Sequence, residues 1–117
     1  EEKEGLGEHY SQPVRMALEY FQQYYYEKQL SINQIAEKVS LSPSRFRAVF
    51  QQEVGCSPKQ YLSSLRLQEA EYLLKNTCMK SDDIADATGY QSGNYFRRTF
   101  QKKYGMTPKE FRLRSGQ

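Results

Sequence analysis

The sequence predicts an all-α fold of seven helices, arranged as two helix-turn-helix units joined by a central helix. Three observations carry this expectation. No stretch alternates apolar and polar residues as a half-buried strand does. The chain repeats itself at a period of 49 to 50 residues: Ile35-Ala36 returns as Ile84-Ala85, Phe46 as Phe96, Phe50-Gln51 as Phe100-Gln101, Gly55 as Gly105, Pro58-Lys59 as Pro108-Lys109, and Tyr61 as Phe111. Finally, helix starts and stops are written plainly at matching places in both copies. The shift grows from 49 to 50 between Leu41/Tyr90 and Phe46/Phe96, so the second copy carries one extra residue around Gln91 to Gly93.

The elements follow in order. Residues Glu1 to Gln12 read as an acidic linker, with Glu1, Glu2, Glu4 and Glu8 against Lys3 and with Gly5 and Gly7 loosening the backbone. After Pro13, the residues Val14, Ala17, Leu18, Phe21, Tyr24 and Tyr25 recur at helical spacing and predict a first helix over 13–28. The Tyr24-Tyr25-Tyr26 run is read as core and rim of that helix rather than a base-stacking platform. Ser31-x-x-Gln34, Ser57-x-x-Gln60 and Thr107-x-x-Glu110 are capping boxes, and the last two place proline at the first helical position, where a missing N–H costs nothing. Ser42-Pro43 and Ser92 open two more helices, and Gly55, Asn76, Gly89 and Gly105 suit left-handed stops. The remaining helices are therefore expected over 32–39, 43–53, 58–75, 82–88, 93–103 and 108–114. The chain divides into a first unit over 13–56, a linker helix over 57–76 and a second unit over 77–117.

In each copy, a helix of about eight residues, a short turn and a helix of about eleven have the proportions of a helix-turn-helix. At about 100° per residue, Val49, Phe50 and Val54 gather on the side of Phe46, with Ser44, Ala48 and Gln51 opposite. In the second copy Phe96, Thr99, Phe100 and Tyr104 take the inner side and Asn94, Arg98 and Gln101 the outer, with Arg97 on the flank as Arg47 is in the first. Arginine can pair with guanine O6 and N7, and asparagine or glutamine with adenine N6 and N7, so this outer chemistry suits major-groove reading.

Charge points the same way. The net charge is +3, but residues beyond the first twelve hold 16 basic against 10 acidic side chains. Between Arg97 and Arg114 stand Arg97, Arg98, Lys102, Lys103, Lys109, Arg112 and Arg114 against Glu110 alone. This cluster fits either a polyanion partner or a solvated helical face.

The helix over 58–75 carries apolar residues around most of its circumference, including Tyr61, Leu62, Leu65, Leu67, Ala70, Tyr72, Leu73 and Leu74, and should be buried on two sides. Arg66 and Glu69 lie in that arc and are expected to pair with each other or with a neighbour. A strut of about 18 residues spans roughly 27 Å. Held by it, two reading helices could enter successive major grooves about 34 Å apart; if the strut is stiffer than the DNA, the duplex must bend, at a sequence-dependent cost on the order of a few kcal/mol.

Other chemistries find little support. Cys56 and Cys78 are expected to be reduced, packed thiols, since two cysteines 22 apart without a nearby histidine suggest neither a disulfide framework nor zinc. His9 is the sole histidine, and no nucleophile elbow, phosphate loop or zinc-protease motif occurs. We expect no enzyme, no cofactor and no metal. No run approaches the roughly 18 apolar residues of a membrane span, and the first residues lack the basic-then-apolar order of a secretory signal, so a cytoplasmic chain is expected.

The stretch Ile84-Ala85, Gly89-Tyr90, Ser92, Tyr95-Phe96, Arg98, Phe100-Gln101-Lys102-Lys103, Gly105, Thr107-Pro108, Phe111-Arg112 resembles the signature of the AraC/XylS family of bacterial transcription regulators. Ile35-Ala36, Leu41-Ser42, Phe46, Phe50, Gly55, Ser57-Pro58, Tyr61, Arg66-Leu67, Ala70 and Leu73-Leu74 are similar to the rest of its pattern, and the match runs from Val14 to Arg114. The resemblance implies a homeodomain-like, AraC-type DNA-binding domain. It places base reading on Ser44, Arg47 and Ala48 and on Asn94, Arg97 and Arg98, to which Arg45 is added from its position. It places backbone contacts near helix starts such as Ser42 and Ser92, with Gln51, Gln101 and Lys102 added. Double-stranded DNA is the implied partner, with RNA polymerase and an N-terminal sensing or dimerisation domain beside it. Ser40 stands where the turn often has glycine, so strain is expected there if the backbone is left-handed. Ala48 lacks a polar group, which shifts the first unit's reading towards Arg45 and Arg47. Two other classes stay open on the sequence: a protein-interaction module using the second unit's outer side, and the DNA-targeting arm of a repair enzyme.

Overall fold

The computed structural model describes residues 9–116. Most of the acidic leader therefore lies outside the described residues, as does Gln117. Seven helices lie wholly within them: α1 Gln12–Tyr24, α2 Ile32–Lys38, α3 Pro43–Val54, α4 Pro58–Asn76, α5 Ser81–Ala87, α6 Gly93–Tyr104 and α7 Pro108–Arg114. They divide into two compact units, one of residues up to Tyr25 with Leu30–Ser63, the other of Tyr26–Gln29 with Ser64 onwards.

The capping signals perform as read. Ser31, Ser57 and Thr107 each accept from the backbone N–H three residues on, and Gln34, Gln60 and Glu110 each accept in return from the cap residue's own N–H. Each box satisfies two of the amide donors that a helix start leaves without partners. Helix α1 starts one residue earlier than expected, at Gln12, behind Ser11, whose N–H donates to Glu53 Oε1 at 2.8 Å.

It also stops four residues earlier than expected. Its last turn closes with the Tyr25 N–H on Phe21 O, and Tyr26–Gln29 belong to the second unit. There Arg66 donates to Glu27 O, Gln91 donates to Lys28 O, and Lys28 pairs with Asp86. Side chains distant in sequence satisfy these carbonyls, so the segment leaves the helix even though its residues tolerate one. Tyr24 and Tyr25 are half-buried at the rim, whereas Tyr26 is 49% exposed.

The first unit's core is built from Val14, Ala17, Leu18, Phe21, Leu30, Ile35, Ala36, Val39, Phe46, Phe50 and Leu62. Phe21, Phe50 and Tyr61 meet edge-on or tilted with centroids 5.2 to 5.7 Å apart, within the favoured range for aromatic pairs. The second unit repeats the plan with Leu67, Ala70, Leu74, Ile84, Ala85, Tyr90, Phe96 and Phe100, flanked by Leu73, Met79, Tyr104 and Phe111. Helix α4 thus lends its first residues to one core and the rest to the other, which accounts for its wide apolar arc.

Several expectations need correction. Tyr72 is 58% exposed, because Ala70 faces the core and Tyr72 stands about 200° further round the helix. Asn76 is not a left-handed stop. It is the last residue of α4, and its Nδ2 donates to Tyr72 O. Cys78 is exposed and Cys56 half-buried, so neither is fully packed; Met79 rather than Cys78 supplies the apolar contact after α4. Arg66, by contrast, is paired with neighbours as expected: it meets Glu27 O and the Tyr90 ring, 6.0 Å away, and burial holds its pKa below the ordinary value against the opposing pull of Tyr90 and Tyr95.

Candidate nucleic-acid interface

The turn that aims each second helix is the same in both units. Leu41 N–H reaches back to Ala36 O, and Tyr90 N–H to Ala85 O, each at 3.0 Å. Such a turn needs one left-handed residue. Gly89 supplies it with φ 95°, and Ser40 supplies it with φ 62°, the strain anticipated from its sequence position.

Helix α3 opens at Ser42, whose Oγ accepts from Arg45 N–H at 3.2 Å. Phe46 and Phe50 fix its inner side with no exposed surface. Ser42, Ser44, Arg45, Arg47, Ala48 and Gln51 are all exposed. Every first-unit candidate is therefore accessible, with Ser44, Ala48 and Gln51 opposite the two phenylalanines and Arg45 and Arg47 on the two flanks.

Helix α6 opens at Ser92, which accepts from Tyr95 N–H at 3.1 Å. Phe96 and Phe100 anchor it, ringed by Tyr90, Tyr104 and Phe111 with centroids 4.3 to 5.8 Å apart. Ser92, Asn94, Arg98, Gln101 and Lys102 are exposed, and Arg98 lies 5.9 Å from the exposed Tyr95 ring. Arg97 is half-buried and engaged at both ends: Nη1 donates to Asp82 Oδ1 and Nη2 to Asn94 Oδ1, each at 2.7 Å.

The sequence reading passed over Asp82 and Gly93. A Cβ on residue 93 would stand 2.0 Å from Asp82 Oδ1, so the absence of a side chain there makes room for the carboxylate. The available signal was a glycine at the first position of a well-capped helix, where propensity alone disfavours it.

The basic cluster also resolves into two kinds of residue. Arg98, Lys102, Lys103, Lys109 and Arg114 are exposed. Arg112 turns inward, donating Nε to Leu74 O and Nη2 to Thr77 O, each at 3.0 Å. Tyr104 is held too: its hydroxyl donates to Glu71 Oε1, and burial, then the Glu71 charge and this bond, push its pKa up to about 12. Among the described residues, no grouping of three or more His, Cys, Asp or Glu side chains could hold a metal, and no helix is long and apolar enough to cross a membrane.

The profile of the helix-turn-helix domain family matches residues 35–114. The melibiose operon regulatory protein of Escherichia coli K12 is 35% identical over 92 residues, covering 79% of this chain and 30% of that protein. The arabinose operon regulatory protein of the same organism is 33% identical over 99 residues, covering 85% of this chain and 34% of its own length. The chain belongs to the AraC/XylS helix-turn-helix family. It spans about a third of the length of these curated relatives. Among solved structures, the C-terminal domain of AraT, a response regulator from Geobacillus stearothermophilus, superposes with a TM-score of 0.85 at 31% identity, covering 88% of this chain and 85% of that one. An AraC-type transcriptional regulator from Chromobacterium violaceum gives 0.78 at 30% identity, covering 90% and 93%.

Proposed function

We propose that this chain binds double-stranded DNA sequence-specifically as part of a bacterial transcription regulator, with α3 and α6 in adjacent major grooves. The observation that supports it most directly is the sidedness of both helices. Each is anchored by two fully buried phenylalanines and offers an exposed row of arginine, amide and hydroxyl side chains on the opposite side. That row holds the groups that pair with base edges, and basic residues beside it suit phosphates. Base reading is assigned to Ser44, Arg45, Arg47, Ala48, Asn94, Arg97 and Arg98, and backbone contact to Ser42, Gln51, Ser92, Gln101 and Lys102. The two reading units take residues 13–56 and 77–117, with 57–76 as the helix between.

The full regulator is further proposed to work in the cytoplasm, to carry an N-terminal sensing or dimerisation domain and to contact RNA polymerase. Membership of a family whose curated relatives are operon regulators of greater length supports this.

Footprinting on a site selected from random duplexes tests the DNA reading. Protection should cover two major-groove faces about one helical turn apart, and affinity should fall steeply with salt. Arg98→Ala should lose about 1 to 3 kcal/mol and relax preference at one base position. Protection of a single groove contradicts the two-helix arrangement, and a salt-insensitive complex contradicts the phosphate contacts.

A further inference from the structure

We infer that Asp82, acting through Arg97, fixes which base Asn94 prefers. The inference rests on the DNA reading proposed above and deepens it. A guanidinium carries only donors, so the Asn94 atom 2.7 Å from Arg97 Nη2 has to be the amide oxygen. The amide nitrogen is thereby turned away from Arg97, and the exposed end of Asn94 is a donor. Arg97 is itself steadied at the other tip of its fork by Asp82, whose carboxylate occupies the space that Gly93 leaves open.

This arrangement selects among base edges. Adenine shows a donor at N6 beside an acceptor at N7, and an amide reads it by presenting oxygen and nitrogen together. With one lone pair of its oxygen taken by Arg97 and the cation held beside it, Asn94 has its nitrogen as the group left entirely unengaged. Guanine offers such a group two acceptors, N7 and O6, and thymine offers O4, whereas adenine offers only N7 with the N6 donor crowding it. Asn94 is therefore biased toward donating in this chain, and the base it contacts is guanine or thymine in preference to adenine. Asp82 is a positioning residue here: it touches no base, and its pair with Arg97 is exposed, so its loss should leave the fold intact.

The experiment is selection from a pool of random-sequence duplexes with the 117-residue chain, followed by affinities for single-base variants of the enriched site. The relevant position is the one whose preference disappears in Asn94→Ala. In the unaltered protein it should be guanine or thymine. Arg97→Ala frees the amide and should raise adenine there about tenfold relative to the original base, within the range a bidentate pair provides. Asp82→Ala should shift the preference the same way by less. Gly93→Ala reaches the same end independently, because its Cβ displaces the carboxylate while the helix gains a better former.

Adenine at this position in the unaltered protein overturns the inference. So does an Asn94→Ala variant with unchanged preference at every position. Arg97→Ala and Asp82→Ala variants that weaken all sequences evenly overturn it too, and make Arg97 a phosphate contact. If no sequence is enriched at all, the DNA reading itself fails, a result separable from the other three.

Discussion

Arg112 is the residue whose loss should cost the second unit most for the least change in surface. Helix α4 ends at Asn76, so the carbonyls of its last turn lack helical partners. Arg112 supplies a partner for one of them, Leu74 O, and for Thr77 O just beyond the helix, at 3.0 Å each. A third contact, to Leu73 O at 3.5 Å, adds little, since that oxygen already accepts from the Thr77 N–H and hydroxyl. A hydrogen bond from a charged donor contributes about 1.5 to 3 kcal/mol. The site is only half-buried, so water can replace part of each bond, and the lower end applies. Arg112→Ala should therefore destabilise by about 2 to 4 kcal/mol. With a urea slope of about 2 kcal/mol per molar, the middle of the usual range, the midpoint falls by roughly 1 to 2 M.

Arg112→Lys separates geometry from charge. An ammonium on a straight stem cannot span two carbonyls as the guanidinium fork does, so this variant should recover about half of the loss. Urea unfolding followed by circular dichroism gives the midpoints, and amide exchange should show protection falling in residues 64–76 and in α6 and α7. A change below about 0.5 kcal/mol for the alanine variant, typical of an ordinary surface substitution, would refute the inward assignment and return Arg112 to the exposed basic cluster.

Ser40→Gly should stabilise the first unit. A left-handed non-glycine residue costs about 1 to 2 kcal/mol, the glycine's freer unfolded chain takes back about 0.4 to 1, and the exposed Ser40 side chain has no hydrogen-bond partner to lose among the described residues. A rise of a few degrees in Tm checks this, and a fall contradicts it. Tyr104 should titrate near 12, above the ordinary 10. Its protonated form is favoured in the fold, so this contribution to stability is full below pH 10 and is lost as pH rises through 12. Ultraviolet titration should show that phase and Tyr104→Phe should lack it; a tyrosine phase unchanged by the substitution refutes the assignment.

The local elements were legible because short-range chemistry determines them. Ser31, Ser57 and Thr107 announce helix starts through bonds three residues long, and the spacing of Phe46 with Phe50 and of Phe96 with Phe100 marks the inner sides directly. What escaped depends on partners distant in sequence. Nothing near Glu27 says that Arg66 will take its carbonyl, so α1 was extended four residues too far. Arg112 and Arg98 look alike in a charge count, yet one ties down the end of α4 and the other stays exposed. Tyr72 was misplaced because a helix with apolar residues on most sides does not disclose which of them its neighbours leave uncovered.

The repeat itself shows where the two units part company. Shifted by 49 and 50 residues, Asn33 corresponds to Asp82, Pro43 to Gly93, Ser44 to Asn94 and Arg47 to Arg97. Only the second unit therefore holds the three residues that a clasp on this arginine requires: a carboxylate to receive it, an open position to admit the carboxylate and an amide to be oriented. In the first unit the proline ring stands where that opening would be, and Arg47 is exposed with no ion-pair partner among the described residues. An unclasped arginine keeps its whole fork and the freedom of its stem, which suits guanine or a phosphate equally well. A clasped one gives up reach and confers orientation on its neighbour. On the proposed DNA reading, two copies of one fold would thus divide the work, the first supplying adaptable charge and the second an oriented donor, and the division would follow from the differences at Asn33/Asp82 and Pro43/Gly93, none of which is a core residue.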